Sequence, residues 1–123
     1  MGLGRTRPLD AQALAKHIVE VASDKQASDI VLLDIRPISL IADYFVVCSA
    51  TSERQTAAIV RDVVDTVRSD HEVRPLRVEG QPASGWVLLD YGDVIVHVFG
   101  ADQREYYKLE ELWSDARPLV RMQ

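Results

Sequence analysis

Between Asp10 and about Lys25, Ala11, Leu14, Ala15, Ile18, Val21 and Ala22 recur at spacings of three and four. That stripe predicts a helix that buries one face. Pro8 and Asp10 suit its start, since proline is tolerated in a first turn and an aspartate side chain can accept from the orphan amides there. Ser28-Asp29 interrupts the pattern, and Ile30-Val31-Leu32-Leu33-Asp34-Ile35 then predicts a short buried strand ended by Arg36-Pro37. Tyr44-Phe45-Val46-Val47-Cys48 predicts a second strand. Ser49-Ala50-Thr51-Ser52 supplies small and capping residues ahead of Glu53-Arg54-Gln55, and Thr56, Ile59, Val60, Val63, Val64 and Val67 form another helical stripe. So many valines mean that packing, not propensity, holds this helix. The segment Glu79-Gly80-Gln81-Pro82-Ala83-Ser84-Gly85 reads as the most turn-like of the chain.

The run from Trp86 to Gly100 holds two strand-like stretches around a turn at Tyr91-Gly92-Asp93, which predicts a tight hairpin. With a two-residue loop, either Tyr91-Gly92 or Gly92-Asp93, alternation puts Trp86, Leu88, Asp90, Asp93, Ile95, His97 and Phe99 on one face. Val87, Leu89, Tyr91, Val94, Val96 and Val98 take the other. The second set is aliphatic enough to require a cover of helices. The first mixes an indole, two carboxylates and an imidazole with apolar residues, the composition of a binding surface. Asp102 through Trp113 carries Tyr106, Leu109, Leu112 and Trp113 at helical spacings, which predicts a short amphipathic end helix.

Of the 123 residues, 47% are hydrophobic and 27% charged, which describes one domain able to bury its own core. The single cysteine, Cys48, cannot form a disulfide within the chain, and this fits a reducing interior. No apolar run approaches the roughly 18 residues of a membrane helix, and Met1 to Pro8 lacks the apolar stretch of a signal peptide. A cytoplasmic protein with no membrane partner is expected. The formal charge is -5, unevenly spread: residues 79 to 115 hold eight acids and two bases, net -6. That field repels phosphate, so free DNA or RNA is not expected as a ligand of the carboxyl-terminal third, whereas a basic protein surface is attracted.

Catalytic and metal-binding patterns are sparse. His17, His71 and His97 show no local pairing that would make a metal site. His17 reads as an exposed helix flank, His71 as part of a polar turn and His97 as a hydrogen-bonded strand residue. Asp90 and Asp93 flank a hairpin glycine and read as turn residues before they read as cation ligands. No phosphate-cradling glycine loop is present. Ser49 and Ser52 read as helix capping, and Cys48 as a small core residue. No catalytic residue, metal or cofactor is expected.

Several blocks together resemble the ribosomal silencing factor family, RsfS, also called Iojap-like proteins. They are Asp43-Tyr44-Phe45-Val46-Val47, then Ser49-x-x-Ser52-x-Arg54-Gln55, Glu79-Gly80, Gly85 through Phe99, and Arg104-x-x-Tyr107-x-Leu109-Glu110-x-Leu112-Trp113. The resemblance runs from about residue 10 to 116, within a single domain whose ends, 1–8 and 117–123, are expected to be flexible. It implies a compact α/β fold with a mixed sheet flanked by helices, similar in topology to nucleotidyltransferases but without that activity. It also implies binding to the large ribosomal subunit through the ribosomal protein numbered fourteen. Docking there would block joining of the small subunit and repress translation under nutrient limitation. The chain departs from the commoner family form by carrying Ala50-Thr51 where a glycine follows the second strand, which bears on the local loop geometry.

On physical grounds the contact face is expected at Trp86, Leu88, Asp90, Asp93, Ile95 and His97, with Tyr106, Tyr107 and Glu110 nearby. Trp86 would be the desolvated anchor and the carboxylates would select a basic partner. The same face would also allow a homodimer. The rival reading is a metal-dependent nucleotidyl transfer enzyme using Asp90 and Asp93 with anion contacts at Ser49 and Ser52. Such enzymes need Gly-Ser on a strand-to-helix turn, where this chain has Cys48-Ser49-Ala50.

Overall fold

The Asp10 carboxylate accepts from the Gln12 amide at 3.0 Å and starts α1 (Ala11–Asp24), as its stripe requires. The structure, a computed structural model, describes residues 10–107 and 115–122. After α1 come β1 (Ser28–Asp34), β2 (Tyr44–Ala50) and α2 (Glu53–His71). They are followed by β3 (Arg77–Gln81), a single 3-10 turn at Pro82–Ser84, β4 (Trp86–Asp90), β5 (Val94–Gly100), α3 (Ala101–Tyr107) and β6 (Arg117–Met122). The predicted end helix is thus described only as far as Tyr107; its remainder, from residue 108 to Trp113, lies outside the described residues.

The six strands form one mixed sheet in the order β3-β4-β5-β2-β1-β6. The central pair, β2 and β5, is parallel, and every other neighbouring pair is antiparallel. A parallel pair needs a crossover, and α2 lies on it. Because β2 is central and covered on both sides, all seven of its residues are buried, and its sequence is accordingly apolar apart from Ser49 and the Tyr44 hydroxyl.

Two apolar clusters sit on opposite faces of the sheet. The larger lies under α1 and α2, where Leu14, Ile18, Ile59, Val63 and Val67 meet Ile30, Leu32, Val46, Val87, Leu89 and Val96. Burial pushes the Cys48 thiol in this cluster up to about 12, so it is an inert core residue. The smaller cluster joins Val31, Leu33, Phe45, Val47, Ile95 and Phe99, with Trp86 and Leu88 packed at its margin.

Three expectations are corrected. Residues 79–81, read as loop, belong to β3, an edge strand exposed at all five positions, so no burial pattern marked it. Residues 117–122, expected to be a flexible end, pair antiparallel with β1 as the opposite edge. Pro118 and a register shift obscure that strand in the sequence, and an edge tolerates both. His17 and His71, read as separate surface residues, meet across α1 and α2 with Nδ1 to Nε2 at 2.8 Å.

Candidate protein-docking face

The hairpin fixes the site. Asp90 pairs with Ile95 and Trp86 with Phe99, and the Tyr91 amide donates to the Val94 carbonyl at 2.9 Å, leaving Gly92-Asp93 as a two-residue loop. Gly92 takes a φ of 89°, which the first position of such a loop demands and which glycine meets at least cost. Alternation then distributes the side chains as the sequence pattern predicts, with Val87, Leu89, Val94, Val96 and Val98 under the helices.

On the opposite face an aromatic stack runs along β4 and β5. Trp86 lies over Phe99 at 5.4 Å and over His97 at 6.0 Å, with interplanar angles of 18° and 23°. The indole Nε1 donates to His97 Nδ1 at 3.2 Å. His97 is buried, 4% exposed, and burial lowers its pKa to about 4, so it is a neutral acceptor. Phe45 closes the other side of the imidazole in an edge-on contact. Trp86 itself stays half-buried, held in orientation by this bond and stack.

The expected contact residues therefore divide. Trp86 and Leu88 are half-exposed, and Asp93 lies exposed in the hairpin loop. Ile95, at 9% exposure, and His97 share the face but are covered by their cluster, so they shape it from beneath. Asp90 is half-buried and engaged: Oδ1 accepts from the Gly92 amide at 2.8 Å and Oδ2 lies 3.5 Å from Arg77. Tyr106 and Tyr107 belong to α3, but their side chains, and Glu110 entirely, lie outside the described residues. Beside Trp86 and Leu88 a cleft of about 250 Å3 is lined also by Glu79, Gly80 and Ser84. The sequence reading missed these neighbours because β3 was not expected to pair with β4. The alternation of Arg77-Val78-Glu79 was the available signal.

The residues of the rival reading have structural duties. The Ser52 hydroxyl accepts from the Gln55 amide at 3.0 Å and caps α2, while Ser49 accepts from Arg104, 55 positions away, at 2.8 Å. Among the described residues no three His, Cys, Asp or Glu side chains gather into a metal site. At Ala50-Thr51 neither residue needs a positive φ, and the Thr51 amide and hydroxyl both donate to Gln55 Oε1, at 2.7 and 3.0 Å.

Residues 8–123 match the family model described as "Ribosomal silencing factor during starvation". The chain belongs to the RsfS family. It is 42% identical over 108 residues to ribosomal silencing factor RsfS of Bacillus subtilis, covering 88% of this chain and 91% of that one. It is 33% identical over 102 residues to a mouse protein named for mitochondrial assembly of the ribosomal large subunit, covering 79% of this chain and 43% of that one. A crystal structure of a Chromobacterium violaceum protein superposes with a TM-score of 0.82 at 31% identity, covering 86% and 88% of the two chains. RsfS membership thus agrees with the α/β fold and mixed sheet seen here, and no helix among the described residues is long and apolar enough to cross a membrane.

Proposed function

We propose that the chain is a non-enzymatic, cytoplasmic translation repressor that docks on the large ribosomal subunit and sterically prevents the small subunit from joining. The observation that carries this is family membership across residues 8–123. The partner on the large subunit is its protein numbered fourteen, and the condition of use is nutrient limitation. The half-exposed Trp86 and Leu88 supply the apolar contact, Glu79 lines the cleft beside them in an ion pair with Arg77, and Asp93, exposed in the hairpin loop, supplies acidic charge for a basic ribosomal surface. A standard interface covers about 800 Å2 of each partner, small beside a subunit-joining surface, so one domain suffices to obstruct it.

Titration of isolated ribosomal protein fourteen with the chain tests the partner. Saturable binding that weakens when Leu88→Glu places a charge in the cleft supports the reading. Absence of binding, or binding indifferent to Leu88→Glu and Asp93→Lys together, removes this face from it.

A further inference from the structure

We infer that His17 of α1 and His71 at the end of α2 form a two-histidine site for a borderline divalent transition-metal ion, of the class of Zn2+, Ni2+ and Cu2+. The two residues are 54 positions apart in sequence, yet Nδ1 of His17 and Nε2 of His71 approach to 2.8 Å, with ring centroids 5.1 Å apart and planes at 67°. A contact of this length sets one N–H against one lone pair. Asp70 Oδ2 lies 3.6 Å from Nε2, the far nitrogen of His17. A carboxylate in that position favours the proton on Nε2 and leaves Nδ1 as the lone pair turned toward His71. Carboxylates behind the outer nitrogen are the usual means by which proteins fix the tautomer of a metal-binding imidazole.

His71 can carry its proton on Nδ1 instead of Nε2, which leaves a lone pair on His17 Nδ1 and another on His71 Nε2, both at the gap between the rings. Metal–nitrogen bonds of about 2.0–2.1 Å at a tetrahedral angle place two ligand nitrogens about 3.3 Å apart. From the present 2.8 Å the rings need to part by about half an ångström and to turn so that both lone pairs point at the ion. His71 is the last residue of α2, whose terminal carbonyls carry partial negative charge that favours a cation. Asp70 adds a full negative charge, and Arg68 in the same last turn is the opposing one. The His17 side chain is 27% exposed, so a hydrated ion reaches the pair, and water completes its coordination. A metal held here clips α1 to α2, which pack together over the larger cluster.

The test uses the untagged full chain at pH 7.5 in a non-coordinating buffer, titrated calorimetrically with Ni2+ and with Zn2+, while imidazole 15N shifts are followed by NMR. The expected result is one ion per chain, with the His17 and His71 ring nitrogens shifted and those of His97 unmoved. His17→Gln and His71→Gln should each weaken binding more than about tenfold, and Asp70→Asn by about tenfold. The ring shifts read the site in the unaltered protein, whatever a variant does to folding. No saturable binding up to millimolar metal, or binding that leaves the His17 and His71 rings unshifted, overturns the proposal and leaves the two imidazoles sharing only a proton.

Discussion

The Trp86 indole donates to Nδ1 of a buried, neutral His97 at 3.2 Å, so the residue that presents the face is held by one that never reaches its surface. Trp86→Phe retains an aromatic ring over Phe99 but removes the indole N–H that donates to Nδ1. It should cost about 1–2 kcal/mol of stability, through the unpaired buried nitrogen, measured by urea denaturation. An unchanged midpoint would mean that the hydrogen bond holds nothing.

Burial of His97 also sets a pH dependence. The His97 pKa lies near 4 in the folded protein against an ordinary 6.5, so the unfolded chain binds a proton that the folded one refuses between those values. The contribution is fully present above pH 6.5 and is lost as pH falls toward 4, by roughly 3 kcal/mol in all. Urea midpoints measured from pH 7.5 to 4.5 should fall, and fall less in His97→Leu. Parallel slopes in the two proteins would contradict the assignment.

Gly80 has a φ of 82°, and a Cβ there would lie 2.0 Å from the Trp86 carbonyl oxygen. Gly80→Ala should break the pairing of β3 with β4 and open the cleft beside Trp86. The expected loss is about 2 kcal/mol or more, with β3 amides exchanging faster than those of β5. Unaltered exchange in β3 would contradict this.

How much of this was legible in the sequence depended on burial. The Trp86 to Gly100 hairpin and its division of faces could be read, because an aliphatic set and a mixed aromatic and polar set of residues alternate on either side of Gly92. Both edge strands were missed: β3 is exposed throughout, and β6 carries Pro118, so neither bears the apolar pattern that marks a central strand. Burial of Ile95 and His97 was also invisible, since alternation gives the face of the sheet but not what covers it. The contact of His17 with His71 and that of Ser49 with Arg104 join distant segments, and no local spacing announces such pairs.

Gln55 links three segments. Its Oε1 accepts from the Thr51 amide and hydroxyl, and its Nε2 donates to the carbonyls of Lys25 and Gln26 at 3.2 and 2.9 Å. Gln55→Ala should therefore cost about 1–3 kcal/mol by thermal denaturation, more than an ordinary exposed helix substitution. A loss below about 0.5 kcal/mol would show that water replaces these bonds.

Co-sedimentation of the purified chain with separated large subunits, small subunits and joined ribosomes, followed by a subunit-joining assay at physiological salt, tests the central claim most directly. The account predicts binding to large subunits alone, reduced joining, and loss of both effects in Leu88→Glu. Binding that leaves joining unaffected, or no binding to large subunits, would contradict it.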